Sequence, residues 1–377
     1  MLKSSKTRDP EKKTDPAMNP IKSLSEPTLQ QSIPEVPISS KSLPEFERLS
    51  HLETSIAVIV VNYNSGPYLR RCLESMSMQE VDFCAIIVDN ASEDQSMDCC
   101  VDLDDRFLVL RLDRNIGFAA ANNLVALCVS TRWIATLNPD AIPATDWLKC
   151  LFDATKRHPG VAMFGSTQIN ESDHSILDGA GDFYSCFGMM SRGHYRYPTS
   201  ELPVEGFVFS PCAAAALYRT DVFKSVGGFD ERFFCYCEDV DLAFRMRLLG
   251  HQCVQVKNSI VFHVGSLSAG RNSAFSTYHG FRNRLWTFVK NVPTPLLFAS
   301  ALPHAVATLV LLFREALGGE FRAALKGLAD GIAGLDGVLH SRHRIQSSRR
   351  ASTLAIAKAM TWSPWKILRH THDIRPT

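Results

Sequence analysis

Four stretches in the N-terminal half share one pattern: an apolar, largely β-branched run that stops at a cluster of polar turn formers. Residues 56–61 end at Asn62-Tyr63-Asn64-Ser65-Gly66-Pro67, and residues 83–88 at Asp89-Asn90-Ala91-Ser92. Residues 107–112 end at Asp113-Arg114-Asn115-Ile116-Gly117, and residues 133–137 at Asn138-Pro139-Asp140. Short continuous apolar runs bounded in this way read as strands buried on both faces. After the first run, Leu69, Cys72, Leu73 and Met76 recur at three- and four-residue spacing, one face of a helix. A second helix over 118–129 feeds the fourth strand. The alternation predicts β-α-β-α-β-α-β, a mostly parallel sheet flanked by helices.

Four polar endings in register place a polar rim along one edge of that sheet. Pro139 has no N–H to continue a ladder, so Asp140 is presented at the C-terminal edge, where open α/β sheets bind ligands. Strand-Pro-Asp alone is ordinary turn chemistry. A carboxylate at this edge can also hold a divalent cation against the phosphates of a nucleotide.

The second half is less regular. A glycine-containing stretch (Gly179, Gly181, Gly188, Gly193) precedes an apolar run over 212–218. Thr220 is positioned to cap a helix over 221–226, which Gly227-Gly228 ends. The aromatic run Phe233-Phe234-Cys235-Tyr236 leads into Glu238-Asp239-Val240-Asp241, the start of an amphipathic helix reaching Gly250. Carboxylates favour a helix N-terminus through the dipole, which accounts for Glu238 and Asp241. Beside buried aromatic surface a carboxyl pKa rises, which suits a general base. A strand over 253–262 ends at His263, followed by Ser266, Ser268 and Gly270, then Tyr278, Arg282 and Asn283 on a helix.

Composition narrows the function. The 377 residues are 45% apolar, enough for a substantial core, and a net charge of +1 gives no reason to expect nucleic-acid binding. No Gly-x-Gly-x-x-Gly or Walker-type loop follows the first strand, which excludes dinucleotide-binding oxidoreductases and P-loop enzymes. The eleven cysteines lack Cys-x-x-Cys spacing and read as reduced, packed thiols of a cytoplasmic protein. Residues 1–52 are rich in Lys, Glu, Ser and Pro, hold seven of the 19 prolines and show no secretory signal, so a disordered leader is expected.

From Asn291 to Phe313 no charged residue occurs, a length that could span a bilayer, although Pro293, Pro295, Pro303 and His304 interrupt it. An amphipathic segment over 321–339 and a basic cluster (Arg342, Arg344, Arg349, Arg350) follow. The region 291–377 thus reads either as a helical attachment to an anionic inner leaflet or as helices packed on the preceding domain.

The ordered set VIVVNYNS (58–65), IIVDNAS (86–92), NIGFAAANN (115–123), LNPDA (137–141), GGFDERFF (227–234), CEDVDLAFR (237–245), HVGSLSAG (263–270) and STYHGFRN (276–283) resembles the family 2 glycosyltransferases of GT-A fold, particularly the rhamnosyltransferase-like branch. The resemblance covers residues 53–290. It implies an inverting transferase with a UDP- or dTDP-linked sugar donor, a divalent metal (Mg2+ or Mn2+) and a glycan or lipid-linked acceptor. By position, Asn62, Tyr63, Asn64 and Asp89 would form the base pocket, with Asp89 accepting the N3–H of uracil or thymine. Asn115, Gly117, Asn122 and Asn138 would border the nucleotide-sugar, with Gly117 allowing close backbone approach. Asp140 and His263 would hold the metal, Asp239 would be the base and Glu238 its neighbour. Arg282 would contact acceptor or phosphate, whereas Arg245 fits a helix-surface ion pair. A nucleotidyltransferase and a non-catalytic nucleotide-sugar-binding module are the alternatives. The first lacks its basic glycine loop, and the second does not need a general base.

Overall fold

The computed structural model describes residues 38–39, 42–265, 273–369, 371 and 373–377. The four apolar runs form β1 (Ile56–Asn62), β2 (Cys84–Asp89), β3 (Phe107–Arg111) and β4 (Trp133–Leu137). They lie parallel in the order β4-β1-β2-β3. Every residue of β1, β2 and β4 is buried, because helices cover both sheet faces and an apolar run is needed on each. Register sets Asn62 beside Asp89 and Asp89 beside Arg111, so the polar endings share one edge.

The helix α2 (Tyr68–Ser77) buries Leu69, Cys72, Leu73 and Met76, the set its spacing marks. Between β2 and β3 no α-helix forms. A 3₁₀ stretch, Gln95–Cys100, takes its place, opened by the Asp94 carboxylate accepting from the Ser96 N–H. α3 (Gly117–Ala126) then leads to β4.

Order begins earlier than the leader composition suggests. α1 (Leu43–Arg48) lies within 1–52, Leu49 is fully buried, and the Ser42 hydroxyl accepts from the Arg111 N–H. Ile38 bridges Leu112, just beyond the edge strand β3, so this segment shields the outer strand. The rest of the leader, residues 1–37, 40 and 41, lies outside the described residues.

The second half extends the sheet with mixed pairing. β11 (Ala215–Arg219) runs antiparallel between β4 and β6 (Met163–Asn170), and the long β12 (Cys253–His263) pairs parallel with β6. β5 (Ala141–Pro143) adds to β12, β7 (Leu177–Ala180) to β6, and β10 (Gly206–Val208) closes the far edge. β8 (Asp182–Tyr184) and β9 (Met190–Arg192) form a separate hairpin. α4 (Trp147–Arg157) packs on β12. In α5 (Thr220–Ser225) Thr220 is the first helical residue rather than the cap. Its hydroxyl is unpartnered, and the Asp221 carboxylate receives the Val222 N–H instead.

α6 (Glu238–Leu248) is not amphipathic: nine of its eleven residues are buried. It lies against α7 (Ala274–Asn291), and its polar residues Asp241 and Arg245 are paired internally. Arg245 is therefore no surface ion pair. It is buried, donating to Asp241 at 2.9 Å and to the Val226 carbonyl at 2.7 Å. Lys290, 1% exposed, sits between Asp230 (2.5 Å) and Asp241 (2.8 Å), and Asn291 donates to Asp241 at 2.7 Å.

The remaining helices are α8 (Thr294–Gly318), α9 (Phe321–Ala333), α10 (Leu335–Ser347), α11 (Thr353–Ala359) and α12 (Pro364–Arg369). α9 packs closely on α7, where Gly327 leaves no room for a Cβ beside the Tyr278 carbonyl. Phe288, Leu296, Ile356 and Met360 join Tyr184, Phe209 and Phe244 in one apolar cluster, so residues on both sides of position 290 share a core. Arg342 donates to the carbonyls of Val289 and Val292 at the end of α7 and is not free for an anionic surface.

Burial pushes the Asp230 carboxyl up, but Arg232 and Lys290 outweigh it and hold the pKa below the ordinary 3.8. Its stabilisation is present above that value and is lost as pH falls through the lower folded one. Lys290→Met takes one of two cations from each carboxylate, leaving Asp230 with Arg232 and Asp241 with Arg245. It is expected to cost about 1.5–3 kcal/mol in urea unfolding at neutral pH, and a loss below about 1 kcal/mol would contradict this account of the α6–α7 contact.

Candidate active site

The polar rim is locked before any ligand arrives. Asn62 is fully enclosed. Its amide donates to the hydroxyls of Ser92 (3.0 Å) and Ser96 (2.9 Å), and its carbonyl accepts from Ser65. It supports the loop walls rather than lining a pocket. Asn64 binds the Glu93 N–H at 2.8 Å, and Tyr63 beside it is partly exposed. Asp89 accepts from the Ser92 N–H at 3.1 Å and pairs with Arg111 at 3.4 Å. Asn90 and Asn115 bond side chain to side chain at 2.9 Å, and Asn115 also accepts the Gly117 N–H.

Gly117 does allow a close approach, but to protein. At φ +85°, a Cβ there would stand 2.5 Å from the Phe234 ring. Asn122 is buried within α3, donating to the Phe118 carbonyl with its own Oδ1 unpartnered, so its side chain is not at an open surface. Asn138 holds the end of β4 through its main chain, its N–H donating to the Ala214 carbonyl at 2.9 Å, and is partly exposed.

Beyond β4, the pairing of β5 with β12 sets Ala141 opposite His263 and so brings Asp140 to that imidazole. His263 Nε2 lies 3.6 Å from Asp140 Oδ1 and has no hydrogen-bond partner, although the side chain is buried. Its Nδ1 is held by Asp178 at 2.7 Å, and Asp178 also pairs with Arg192. Burial raises the Asp140 carboxyl pKa, but His263 and the Gly265 N–H more than offset this and hold it below its ordinary value. Burial lowers the His263 pKa, and the two carboxylates outweigh it, leaving the imidazole more basic than usual. A carboxylate holding one ring nitrogen is also found on metal-ligating histidines, where it fixes the ring orientation.

The second acid group lies across Arg192. Both Asp239 oxygens accept main-chain N–H groups, of Ala213 (3.1 Å) and Val240 (2.8 Å). Burial nevertheless raises the Asp239 pKa, with those N–H groups and Arg192 opposing. Glu238 is more deeply buried, its Oε2 is unpartnered, and burial together with Asp239 holds its pKa well above normal. Ligand atoms of Asp182, Cys212 and Asp239 lie within 4.8 Å of one another. Burial and the two neighbouring carboxylates push the Cys212 thiol up to about 12. The charge of Arg192 reaches Asp178, Asp182 and Asp239, and Tyr236 lies within electrostatic reach of Asp140, Glu238 and Arg192. Arg192 and Tyr236 thus each interact electrostatically with both acid groups.

The loop that delivers Glu238 and Asp239 is strained. Phe234, Tyr236 and Cys237 all have positive φ, between 64° and 69°. Such conformations cost about 1–3 kcal/mol each and persist only where the surroundings impose them. The fully buried Asn283 amide donates to the carbonyls of Phe233, Cys235 and Tyr236 at 2.8–3.0 Å. Arg282 donates to the carbonyls of Arg232 and Phe233 and lies over Trp286, so it holds this loop rather than standing free.

Three residues of the site escaped the sequence reading: Asp178, Asp182 and Arg192. Their signal was the presence of charges on short strands around the 179–193 glycines, where Asp is disfavoured unless paired. Ser266, Ser268 and Gly270 lie outside the described residues. A cleft of about 1550 Å³ lies elsewhere. It is lined by Arg219, Lys224, Arg245, Arg344 and Arg350, and Arg219 pairs with Trp133 at the start of β4, the opposite end from Asp140.

Residues 57–227 match the family described as Glycosyl transferase family 2, a match that ends before Asp239 and His263. The chain is 29% identical over 247 residues to the N-acetylglucosaminyl-diphospho-decaprenol L-rhamnosyltransferase of Mycobacterium tuberculosis, covering 58% of this chain and 79% of that one. It is 23% identical over 210 residues to the rhamnosyltransferase WbbL of Escherichia coli, covering 52% and 78%. Among solved structures, GalNAc-T7 with UDP, GalNAc and Mn2+ aligns with a TM-score of 0.50 at 14% identity, over 63% of this chain and 48% of that one, a likeness of fold.

Asn283→Ala removes the donor that three loop carbonyls share. We expect a stability loss of about 1–3 kcal/mol and faster amide exchange across residues 234–239. Unchanged exchange there would show that the loop holds itself.

Proposed function

We propose, from the premise that this chain is a family 2 glycosyltransferase of rhamnosyltransferase-like type with a GT-A fold, that it transfers a deoxyhexose such as L-rhamnose with inversion. The donor is a UDP- or dTDP-linked sugar, and the acceptor is a hydroxyl of a lipid-linked glycan at the cytoplasmic face of the membrane. What supports this reading is that the charge of Arg192 acts both on His263, which faces Asp140, and on Asp239.

Tyr63, Asn64 and Asp89 receive the base, the Asp89 carboxylate accepting the pyrimidine N3–H. Asn115 and Asn138 border the sugar diphosphate, while Asn62, Gly117 and Asn122 keep those walls in place. Asp140 and His263 fit a divalent ion, Mg2+ or Mn2+: one ionised oxygen and one buried, unpartnered ring nitrogen face each other, and such ions complete their shell with water and phosphate oxygens. When bound, the ion neutralises charge on the departing diphosphate. Asp178 fixes the His263 ring so that Nε2 faces Asp140.

On the other side Asp239 accepts the proton of the acceptor hydroxyl as its oxygen attacks the anomeric carbon. The bond from that carbon to the diphosphate breaks as the new glycosidic bond forms, and the proton later leaves to solvent. Arg192 keeps Asp239 ionised, while burial keeps it basic enough to take the proton. Glu238 is its buried neighbour, and Asp239 in turn helps to hold the Glu238 carboxyl well above its ordinary value. No covalent intermediate is required. Neither a nucleotidyltransferase nor a binding module is favoured by any feature of this site.

Asp239→Asn is expected to retain Mn2+ and nucleotide-sugar binding in calorimetry while transfer falls by about 10²–10⁴-fold. In the unmodified protein, the acidic limb of kcat/KM should lie above 3.8, the ordinary aspartate value, because the base must be ionised. Full turnover by the variant would remove Asp239 from this role.

A further inference from the structure

α8 carries two opposed stripes. Leu296, Ser300, His304, Thr308 and Glu315 are buried against the protein. The other side exposes Phe298, Leu302, Val306, Leu309, Val310, Phe313 and Leu317, each 51–77% accessible. At 1.5 Å per residue this uncovered apolar stripe runs for about 28 Å. The neighbouring α9 adds exposed Phe321, Leu325 and Ile332. A contiguous surface of this kind marks a contact with an apolar partner.

Length and composition alone would let α8 cross a membrane. Its buried stripe forbids this. His304 stacks on Phe288 at 4.0 Å, and its ring nitrogen bonds the Phe187 carbonyl at 3.1 Å. Thr308 accepts from the buried guanidinium of Arg284 at 2.5 Å, and Arg284 belongs to α7, the helix that holds the catalytic loop. A spanning α8 would have to break these contacts or carry Arg284 into hydrocarbon. Charge identifies the partner. Residues 294–369 hold ten Lys and Arg against four Asp and Glu, a net +6 (+5 without Arg342, which is turned to the end of α7), which leaves −5 for the remainder of a chain whose total is +1. A basic segment bearing an uncovered apolar stripe is complementary to an anionic lipid surface.

We propose that α8 lies in the plane of an anionic membrane, its exposed stripe among the acyl chains and its opposite stripe sealed on the catalytic domain. This deepens the function proposed above, because it sets the acid site beside a lipid-linked acceptor without a spanning segment.

The test uses the full chain and sedimented vesicles of equal parts phosphatidylglycerol and phosphatidylcholine, with pure phosphatidylcholine vesicles as comparison. Binding is expected to the anionic vesicles, weaker binding to the neutral ones, and release of the bound protein by alkaline carbonate. Leu302→Ser/Leu309→Ser/Phe313→Ser should weaken binding at least about tenfold while its melting temperature stays unchanged. Phe298→Glu, a single exposed change, gives the same readout if the triple variant misfolds. Unweakened binding of both variants, resistance of the wild type to carbonate, or a lipid-free dimer that the substitutions dissolve would overturn the proposal, the last by assigning the stripe to a second copy. Turnover of a UDP- or dTDP-sugar with a short-chain alkyl N-acetylglucosaminide separates the two claims. Lost vesicle binding with intact turnover leaves the transferase reading standing, and vesicle binding without turnover removes that reading alone.

Discussion

The site depends on one guanidinium set among carboxylates. Arg192, at the end of β9, is register partner to Asp182 on β8, pairs with Asp178 on β7, and acts on Asp239 at the head of α6. Three acids brought this close in a poorly solvated region would repel one another strongly enough to force protonation or separation. With Arg192 among them they stay together, although burial still holds Asp182 well above, and Asp239 above, the ordinary carboxyl value. Asp178 takes Arg192 and His263 on one carboxylate oxygen, and His263 in turn faces Asp140. The chain of contacts runs from the parallel half of the sheet to the helical half, and both acids of the proposed reaction hang on it.

α7 supplies the second support. Asn283 and Arg282 impose the left-handed loop that turns Asp239 toward Arg192, and Lys290 neutralises Asp230 and Asp241 beneath it. Arg284 on the same helix reaches across to Thr308 on α8. The backbone strain at Phe234, Tyr236 and Cys237 is thus held by a helix that is itself locked to the C-terminal region. This gives the C-terminal helices a structural part in the site, whatever surface they meet outside.

The parallel half was legible because each of its strands is buried on both faces and so writes a continuous apolar run. The spacing of Leu69, Cys72, Leu73 and Met76 did the same for α2. What could not be read were long-range pairings: β11 inserted antiparallel beside β4, and the three-residue β5 joining β12, carry no local signature. Within the site, Asn62, Gly117 and Asn122 showed the residue types of a ligand wall, but the same types lock turns and admit Phe234, and the structure uses them so. Arg245 read as a surface ion pair on an amphipathic helix because charge usually means solvent. Here the network of Asp230, Asp241, Arg245 and Lys290 is internal, and no sequence pattern distinguishes a paired buried charge from a solvated one.

The most direct test is the position of the cation. Crystals of the protein grown with Mn2+ and UDP or dTDP should give an anomalous peak between Asp140 Oδ1 and His263 Nε2, with phosphate oxygens completing the shell. A peak instead among Asp182, Cys212 and Asp239 would put the metal on the side assigned to the base and contradict the account.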